Sequence, residues 1–189
     1  LKIDAQGQTT LPGLYSAGEN AGGPHGADRL GGNMMVTCQV FGEIAGRNAA
    51  RQQSAVSEQV FEVAASQAIE AATESISRDV GRTGLYTPLA DAAQDQLLVI
   101  RNREGLESLI GNIDALEAEA VSRPRSKANR SAWELHSLMT TARIMTEACL
   151  ARRESRGSHY RSDYPRTDPE LSAAKTVKFP DGAFQGDIV

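Results

Sequence analysis

The sequence has 189 residues, of which 40% are hydrophobic, and this is enough for one sizeable core or for a core with a smaller helical domain. Its 20 basic and 24 acidic residues give a net charge of −4, which argues against nucleic acid as the main partner. Because no apolar run is long enough to span a bilayer, we expect no direct membrane insertion.

The first predicted element is a short buried strand over residues 14–17, which lies between Pro12-Gly13 and Gly18. It leads into a loop over residues 18–32 that contains six glycines. Glycine can adopt positive φ and has no side chain to obstruct a neighbour. The loop is therefore predicted to approach another molecule closely.

Helices are predicted for most of the chain after this loop. From Asn33 the apolar spacing predicts a helix that is buried on most sides, in which Gly42 and Gly46 allow close packing against a neighbouring backbone. Residues 54–77 predict a linking helix with a moderate apolar stripe. Thr87-Pro88 predicts a further helix with proline at its first position.

Two more helices complete a predicted antiparallel three-helix bundle. Between Arg103 and Ala120 apolar residues recur three or four positions apart, as one face of an amphipathic helix requires, and Pro124 ends this helix. The next helix is predicted over residues 127–153, and Gly157 is expected to cap its C-terminus. The residues expected on its packed side are Trp133, Leu138, Met139, Ala142, Met145, Ala148 and Cys149.

The two cysteines, Cys38 and Cys149, both lie in apolar helical patterns and are far apart in the chain. This arrangement predicts buried thiols in a reducing compartment rather than a disulfide, and we expect no metal site. The expected location is the cytoplasm, with a membrane reached only through partner subunits. The chain opens at Leu1 without a methionine, which suggests a piece of a longer protein.

Two sequence motifs carry a specific resemblance. The order GLYSAGE, HGADRLGGN and VFGEIAGR in residues 13–47, followed by RRESRGSHYRSDYP in residues 152–165, resembles the C-terminal part of a flavoprotein family. The family comprises the flavoprotein subunits of succinate dehydrogenase and fumarate reductase, together with L-aspartate oxidase. The resemblance implies a mainly α chain that holds the last strand and helix of an FAD-binding α/β domain, followed by a three-helix-bundle domain.

The implied domain organisation divides the chain into four parts. Residues 1–53 would end the FAD-binding domain, residues 54–84 would form a helical linker, residues 85–165 the bundle and residues 166–189 a tail. The family's dinucleotide-binding glycine motif, its capping domain and its proton-delivering arginine do not occur in this sequence. The resemblance therefore implies a C-terminal fragment that is inactive on its own.

FAD is the cofactor that the resemblance implies, and it assigns the start of the first helix to the flavin. The free N–H groups at a helix N-terminus suit the negative charge of a reduced isoalloxazine. The alternative is a tight turn in which Asn33 caps the helix. The residues implied to present their backbone to the pyrimidine edge are Gly31, Gly32, Asn33, Met34 and Met35.

Three side chains of the loop also match the family. Arg29 matches an arginine that binds a substrate carboxylate, and a guanidinium can grip a carboxylate with two hydrogen bonds. A lone loop arginine can otherwise be a solvated charge. His25 matches a histidine close to the flavin and the substrate. Glu19 would accept a hydrogen bond from a ribose or ribityl hydroxyl, or be a solvated acid at a helix start.

The sequence departs from the commonest family pattern at two positions. Asp28 stands where asparagine is usual, and Met34 stands where serine is frequent. Asp28 adds negative charge beside a site that should attract anions, unless it pairs with Arg29 or with another residue. The identity of the substrate therefore stays open at this point.

A dense polar cluster follows the last predicted helix. One interpretation is a surface network of ion pairs, each of which contributes little. We favour an architectural role, at the interface with the flavin domain or with an iron–sulfur subunit, over direct catalysis. The cluster comprises Glu154, Ser155, Arg156, Gly157, His159, Arg161 and Asp163.

The function implied for the parent protein is an FAD-dependent oxidoreductase that moves a hydride between flavin N5 and a dicarboxylate such as fumarate or succinate. One alternative is a flavin-dependent L-aspartate oxidase. Another is a non-enzymatic module in which residues 85–157 dock a partner. The expected partners are a dicarboxylate substrate, the rest of the flavoprotein chain and an iron–sulfur subunit.

Overall fold

The computed structural model describes residues 1–27, 29–52, 58–76, 84–124 and 130–171. The helices within these residues are α1 (Asn33–Arg51), α2 (Glu58–Ile76), α3 (Tyr86–Leu97), α4 (Arg103–Ser122) and α5 (Arg130–Ala151). Two short strands and a 3₁₀ turn accompany them: β1 (Ile100–Arg101), β2 (Tyr160–Arg161) and Pro169–Leu171. The mainly α class predicted from the sequence is confirmed.

The chain divides into two compact units, the first built chiefly from Leu1–Ser57 and the second chiefly from Glu58–Pro169. The predicted helix over residues 54–77 is present as α2 in its described part. Most of the predicted tail, from residue 172 onward, lies outside the described residues.

The segment before the glycine loop forms isolated β-bridges instead of a continuous strand. Gln8 pairs with Tyr15, and further bridges join Ile3 to Thr9 and Lys2 to Gly22. The strand predicted over residues 14–17 is thus a single bridge, and the prediction of burial is wrong at Leu14, which is 42% exposed. A continuous β-strand needs several consecutive residues that pair with a neighbouring strand. Among the described residues, only Gln8 forms a bridge to this segment.

α1 begins directly after Gly32, whose φ of 86° lies in the left-handed region. No side chain caps the helix, so the alternative in which Asn33 acts as the cap is wrong. Ala45 is the buried residue of α1, and a Cβ on Gly42 or Gly46 would meet no atom within 4 Å among the described residues. The predictions of burial on most sides and of close packing at these glycines are therefore wrong for the chain as described, because only one side of α1 is covered.

The close approach in the first unit lies at Gly7. A Cβ added to Gly7 would lie 2.8 Å from the Cβ of Ala45, and the φ of Gly7 is 74°. The backbone N–H of the buried Ser16 donates to the carbonyl of Gly7 at 2.9 Å. The Asn48 side-chain amide on α1 donates to the carbonyl of Gln6 at 3.0 Å. These contacts hold the first turn of the chain against α1.

Gly7→Ala is expected to lower the free energy of unfolding by about 2 kcal/mol, because the methyl group would overlap Ala45 and alanine is strained at positive φ. Urea unfolding followed by circular dichroism measures this loss. Gly111→Ala is the matched control, because a Cβ at Gly111 in α4 has no neighbour within 4 Å among the described residues. Alanine in a helix interior should stabilise by up to about 1 kcal/mol. Equal effects of the two substitutions would contradict the close approach.

In the second unit α3, α4 and α5 pack around one apolar core, which confirms the predicted three-helix bundle. α4 starts where the sequence predicts, and the side chain of Asn102 caps it by accepting the N–H of Gly105 at 2.8 Å. The sequence predicts Pro88 at the first position of its helix, but Pro88 is the third residue of α3. The buried core residues are Leu85, Leu89, Leu97, Leu106, Leu109, Ile113, Leu116, Ala132, Leu135, Met139 and Ala142.

The packed face of α5 differs in part from the predicted one. Met139 and Ala142 are buried as predicted, and Cys149 is partly buried against the core. Apolar residues occur on both sides of α5, so their spacing alone could not identify the core face. The prediction is wrong for three residues that are 49%, 40% and 48% exposed, namely Trp133, Leu138 and Met145.

A two-stranded parallel sheet joins the chain between α3 and α4 to the chain after α5. Ile100 pairs with Tyr160, and Arg101 pairs with Arg161. The predicted helix cap at Gly157 is wrong, because this residue, with a φ of 57°, lies in a turn several residues beyond the end of α5. The turn is closed by hydrogen bonds between the residues on either side of it.

Candidate functional site

The glycine loop and the first turn of α1 carry the predicted cofactor site. The N–H of Asn33 donates to the carbonyl of Leu30 at 3.3 Å, and the N–H of Met35 donates to the carbonyl of Gly32 at 3.0 Å. Two of the predicted donors are therefore used inside the loop. Of the five predicted donors, the backbone N–H groups of Gly31, Gly32 and Met34 have no acceptor within the described part of the chain.

These unused donors lie at the positive end of the α1 dipole, which is the arrangement that binds anionic groups. Gly31 and Gly32 are exposed, and a Cβ on either would meet no described atom within 4 Å. The backbone is thus open to another molecule at these two positions. An anionic or electron-rich group of a bound molecule could accept hydrogen bonds here.

His25 presents an unsatisfied polar atom in the same loop. Its side chain is half-buried, and its Nε2 atom is buried with no hydrogen-bond partner among the described residues. A buried ring nitrogen without a partner destabilises the folded state by about 1–3 kcal/mol. A bound group that supplies a donor or an acceptor at Nε2 would remove this penalty.

Glu19 and Arg29 are both exposed at the surface of the first unit. Glu19 follows Gly18, which has a φ of 82° and where a Cβ would lie 3.4 Å from the Sγ of Cys38. The turn before Glu19 therefore packs on α1. Arg29 has an interaction partner within the protein. The question raised by Asp28 lies outside the described residues.

Arg161 is the centre of the polar cluster after α5, and its side chain is fully buried. It forms a two-pronged ion pair with Asp163, with Nε–Oδ1 at 2.8 Å and Nη2–Oδ2 at 2.7 Å. Its guanidinium also lies over the ring of Tyr164, 5.1 Å from the centroid. Nη1 donates to carbonyl oxygens at the end of α5, which belong to Cys149, Leu150 and Arg152.

Arg101 makes similar contacts at the end of α3. Its Nε donates to the carbonyl of Leu97 at 2.6 Å and its Nη2 to the carbonyl of Leu98 at 2.7 Å. Its Nη1 donates to the carbonyl of Ser158 at 3.4 Å. Arg101 and Arg161 are register partners in the two short strands. The sheet therefore places one guanidinium at the C-terminus of α3 and another at the C-terminus of α5. Arg101 is not among the residues predicted from the sequence, where its only signal is its position directly after an apolar run.

Asp163 connects the cluster to the start of α4, where its Oδ2 accepts the backbone N–H of Arg103 at 3.0 Å. Hydrogen bonds from Arg161 first, and then from this N–H, lower the pKa of Asp163 from 3.8 to about 2. The carboxylate is therefore ionised in the folded protein at all but very acidic pH.

This lowered pKa predicts a pH dependence of stability. Ionised Asp163 stabilises the fold fully above pH 4, and about 2 kcal/mol of stability should be lost as the pH falls from about 4 to about 2. Denaturant unfolding at a series of pH values measures the change. Asp163→Asn removes this titrating group and should reduce the loss of stability in this window by about 2 kcal/mol. Identical profiles for the two proteins would contradict the assignment to Asp163.

Glu154 is fully buried and is surrounded by donors. Arg152 and Arg156 pair with its carboxylate at 2.7 and 3.1 Å, and the N–H of Asp168 donates at 2.8 Å. Burial opposes ionisation, but the hydrogen bonds from Arg156 and Asp168 and the charge of Arg152 hold the pKa of Glu154 below its usual range. The interpretation as a surface ion-pair network is therefore wrong for Glu154 and Arg161.

The remaining members of the cluster also bond within the second unit. The Ser155 hydroxyl donates to the carbonyl of Tyr164 at 2.8 Å and accepts the N–H of Arg161 at 2.9 Å. The Nε2 of His159 lies 3.3 Å from the carbonyl oxygen of Arg152. Burial, together with nearby arginine charges, lowers the pKa of His159, although its hydrogen bond to the Arg152 carbonyl opposes this shift. Together with Arg101, the cluster thus connects the C-terminal ends of α3 and α5 with the start of α4.

Neither a membrane-spanning helix nor a metal cluster occurs within the described residues. No helix there is both long enough and apolar enough to cross a membrane. Nor does that part of the chain bring three or more His, Cys, Asp or Glu side chains together in a group that could hold a metal ion.

Comparison with known proteins identifies similar sequences for both units. Residues 87–183 match the profile described as fumarate reductase flavoprotein C-term, and residues 1–35 match the FAD binding domain. One subunit of the CoM/CoB fumarate reductase of Methanothermobacter marburgensis is 37% identical over 182 residues, covering 90% of this chain and 32% of that protein. The L-aspartate oxidase of Caulobacter vibrioides is 36% identical over 171 residues, covering 88% of this chain and 28% of that protein.

Solved structures give the same result for the fold. A variant of the E. coli quinol fumarate reductase FrdA superposes with a TM-score of 0.79 at 23% identity, covering 100% of this chain and 35% of that chain. Mycobacterium smegmatis Sdh1 superposes with a TM-score of 0.77 at 25% identity, covering 100% and 34%. The chain spans about a third of the length of these proteins.

Proposed function

The chain belongs to the fumarate reductase flavoprotein family of FAD-dependent oxidoreductases, and we propose that it forms the C-terminal part of an enzyme that interconverts a dicarboxylate pair such as fumarate and succinate. The observation that carries this proposal is the glycine loop entering α1. There, unused N–H groups and a buried His25 Nε2 without a described partner lie together in one short segment.

FAD fits the residues of this loop. The N–H groups of Gly31, Gly32 and Met34 would donate to its pyrimidine edge, where the helix dipole stabilises negative charge. The carboxylate of Glu19 would accept a hydrogen bond from a ribose or ribityl hydroxyl. Bound FAD would supply the hydride acceptor and donor at its N5 atom. Asn33 and Met35 would set the backbone geometry, since their own N–H groups are used within the loop.

Arg29 and His25 would act on the substrate side. The guanidinium of Arg29 would hold one carboxylate of the dicarboxylate with two parallel hydrogen bonds and so orient it. The Nε2 of His25 would complete its hydrogen bonding with the bound substrate or the cofactor, which would help to position both.

The exposed face of α1 supports the view that further protein completes the site. Met35, Val36 and Val40 are 70%, 63% and 48% exposed on this helix. Contiguous apolar exposure of this kind marks a surface that another segment covers. We therefore propose that the rest of the flavoprotein chain covers α1, and that residues 1–189 alone are inactive.

The electron partner and the substrate are further parts of the proposal. An iron–sulfur subunit would exchange electrons with the flavin and would bring the flavoprotein to the cytoplasmic face of a membrane. A second candidate function is L-aspartate oxidase, because relatives with that name are about as similar to this chain as the fumarate reductase subunit. A purely helical interaction module is less well supported, since it gives no role to the unused donors of the loop.

Assay of the full-length protein that contains this chain tests the proposal. The purified protein should carry FAD and should reduce fumarate with a reduced viologen dye, or oxidise succinate or aspartate with a dye acceptor. The substrate with the highest kcat/KM ranks the candidates. Absence of flavin together with absence of turnover on all three compounds would contradict the oxidoreductase. Rapid turnover by residues 1–189 alone would contradict their role as an incomplete part.

A further inference from the structure

A continuous run of apolar side chains is exposed beside the two-stranded sheet of the second unit. Leu98, Val99 and Ile100 are 61%, 64% and 65% exposed, and Tyr160 is 42% exposed. Ile100 and Tyr160 are register partners, so their side chains lie next to each other on the same face of the sheet. We call Leu98, Val99, Ile100 and Tyr160 the apolar strip.

The apolar strip is held by polar contacts on both of its strands. Arg101 binds the carbonyl of Leu98, and the hydroxyl and N–H of Ser162 bind the carbonyl of Arg101. Arg161, which directly follows Tyr160, is fully buried and paired with Asp163. The strip is therefore a preformed surface, and little conformational entropy would be lost when another segment covers it.

Exposure of this strip is unusual for the structure that carries it. Parallel sheets occur almost entirely with both faces covered, and a pair of two-residue strands is too small to be an independent unit. Soluble monomers seldom expose contiguous large apolar side chains. The four residues of the strip nevertheless remain between 42% and 65% exposed.

We propose that the apolar strip is a docking surface for the part of the parent flavoprotein that precedes residue 1. This rests on the proposed function, in which residues 1–189 are the C-terminal part of a longer chain. Two observations favour this occupant over a separate subunit. About two thirds of the length of the matched relatives lies outside the matched region. A parent protein of similar length would therefore have enough further chain to cover the strip. The strip has no charged side chain, and permanent interfaces are more apolar than those that form and separate.

Hydroxyl-radical footprinting of the full-length holoprotein, read by mass spectrometry, tests the docking. Val121 at the end of α4 is the matched control, because its 65% exposure equals that of Ile100. Rates are normalised to the intrinsic reactivity of each residue type. We expect severalfold greater protection at residues 98–100 and Tyr160 than at Val121. Equal rates would overturn the proposal, and so would protection that arises only after a separate iron–sulfur subunit is added.

A pair of substitutions in the full-length protein gives a second readout. Ile100→Asp would place a carboxylate in the proposed interface and should lower the melting temperature by several degrees. Val121→Asp, at equal exposure, should change it little, and equal shifts would overturn the docking. Flavin absorbance and turnover are recorded on the same samples. A holoprotein that is active but has a freely labelled strip overturns the docking alone, whereas a protected strip in a protein without flavin overturns the proposed function alone.

Discussion

Replacement of Arg161 by methionine should lower the free energy of unfolding of the second unit by about 3–5 kcal/mol, because it breaks a buried ion pair by removing one partner. Asp163 would lose both of its guanidinium hydrogen bonds, and the carbonyl oxygens at the end of α5 would lose their donor. Methionine fills a similar volume, so loss of the polar contacts and not a cavity would dominate the effect.

Chemical denaturation followed by far-UV circular dichroism measures this loss. Arg143→Met is the matched control, because Arg143 also joins two helices but its side chain is 23% exposed beside Asp114 and Glu117. A partly exposed ion pair should contribute only about 1 kcal/mol. The double variant Arg161→Met with Asp163→Asn should be less destabilised than the sum of the single effects, since neither buried charge then lacks its partner. Equal losses for Arg161 and Arg143 would contradict the central role of Arg161.

The helices of this chain were predictable because their apolar residues repeat at helical spacing over many turns. α4 shows this best, since its leucines and isoleucines lie on one face and its predicted start at Arg103 agrees with the structure. α5 marks the limit of the argument. It has apolar residues on two faces, and only the packing of α3 and α4 determines that Leu135 is buried while Leu138 is 40% exposed.

The polar cluster was visible in the sequence, but its arrangement was not. A strand of two residues has no periodicity, so nothing in the sequence predicts that Arg101 lies beside Arg161. A glycine after a helix usually caps it. Here the buried guanidinium of Arg161 takes the helix carbonyls instead, and Gly157 is left to form a turn farther along the chain.

The candidate cofactor site, too, could be predicted only in part from the sequence. The glycine content and the helix after it predicted where the loop lies and where α1 begins. Which N–H groups remain unused depends on short-range bonds such as that from Asn33 to Leu30, and the burial of the His25 Nε2 depends on tertiary packing. The close contact of Gly7 with Ala45 joins residues far apart in the chain, so the sequence offered no signal for it.

Replacement of Arg29 by alanine in the full-length protein should lower kcat/KM for the dicarboxylate by about 10²–10³-fold, while FAD stays bound. The proposed pair of charge-assisted hydrogen bonds to a carboxylate is worth roughly 3–4 kcal/mol, and each 1.4 kcal/mol corresponds to about tenfold in rate. Lysine at this position keeps the charge but loses the two-pronged geometry, so Arg29→Lys should fall between the wild type and the alanine variant.

Steady-state kinetics against fumarate, succinate and aspartate measure this effect, and visible absorbance reports the bound flavin. Arg47→Ala is the matched control, because Arg47 is an exposed arginine of the same unit that pairs with Glu43 one helical turn away on α1. Its loss should leave kcat/KM unchanged. Because Arg29 is proposed to bind substrate and Gly31, Gly32 and Met34 to bind flavin, the two functions should separate in this variant. Loss of flavin together with activity would assign Arg29 to the cofactor, and unchanged kinetics would remove it from the site.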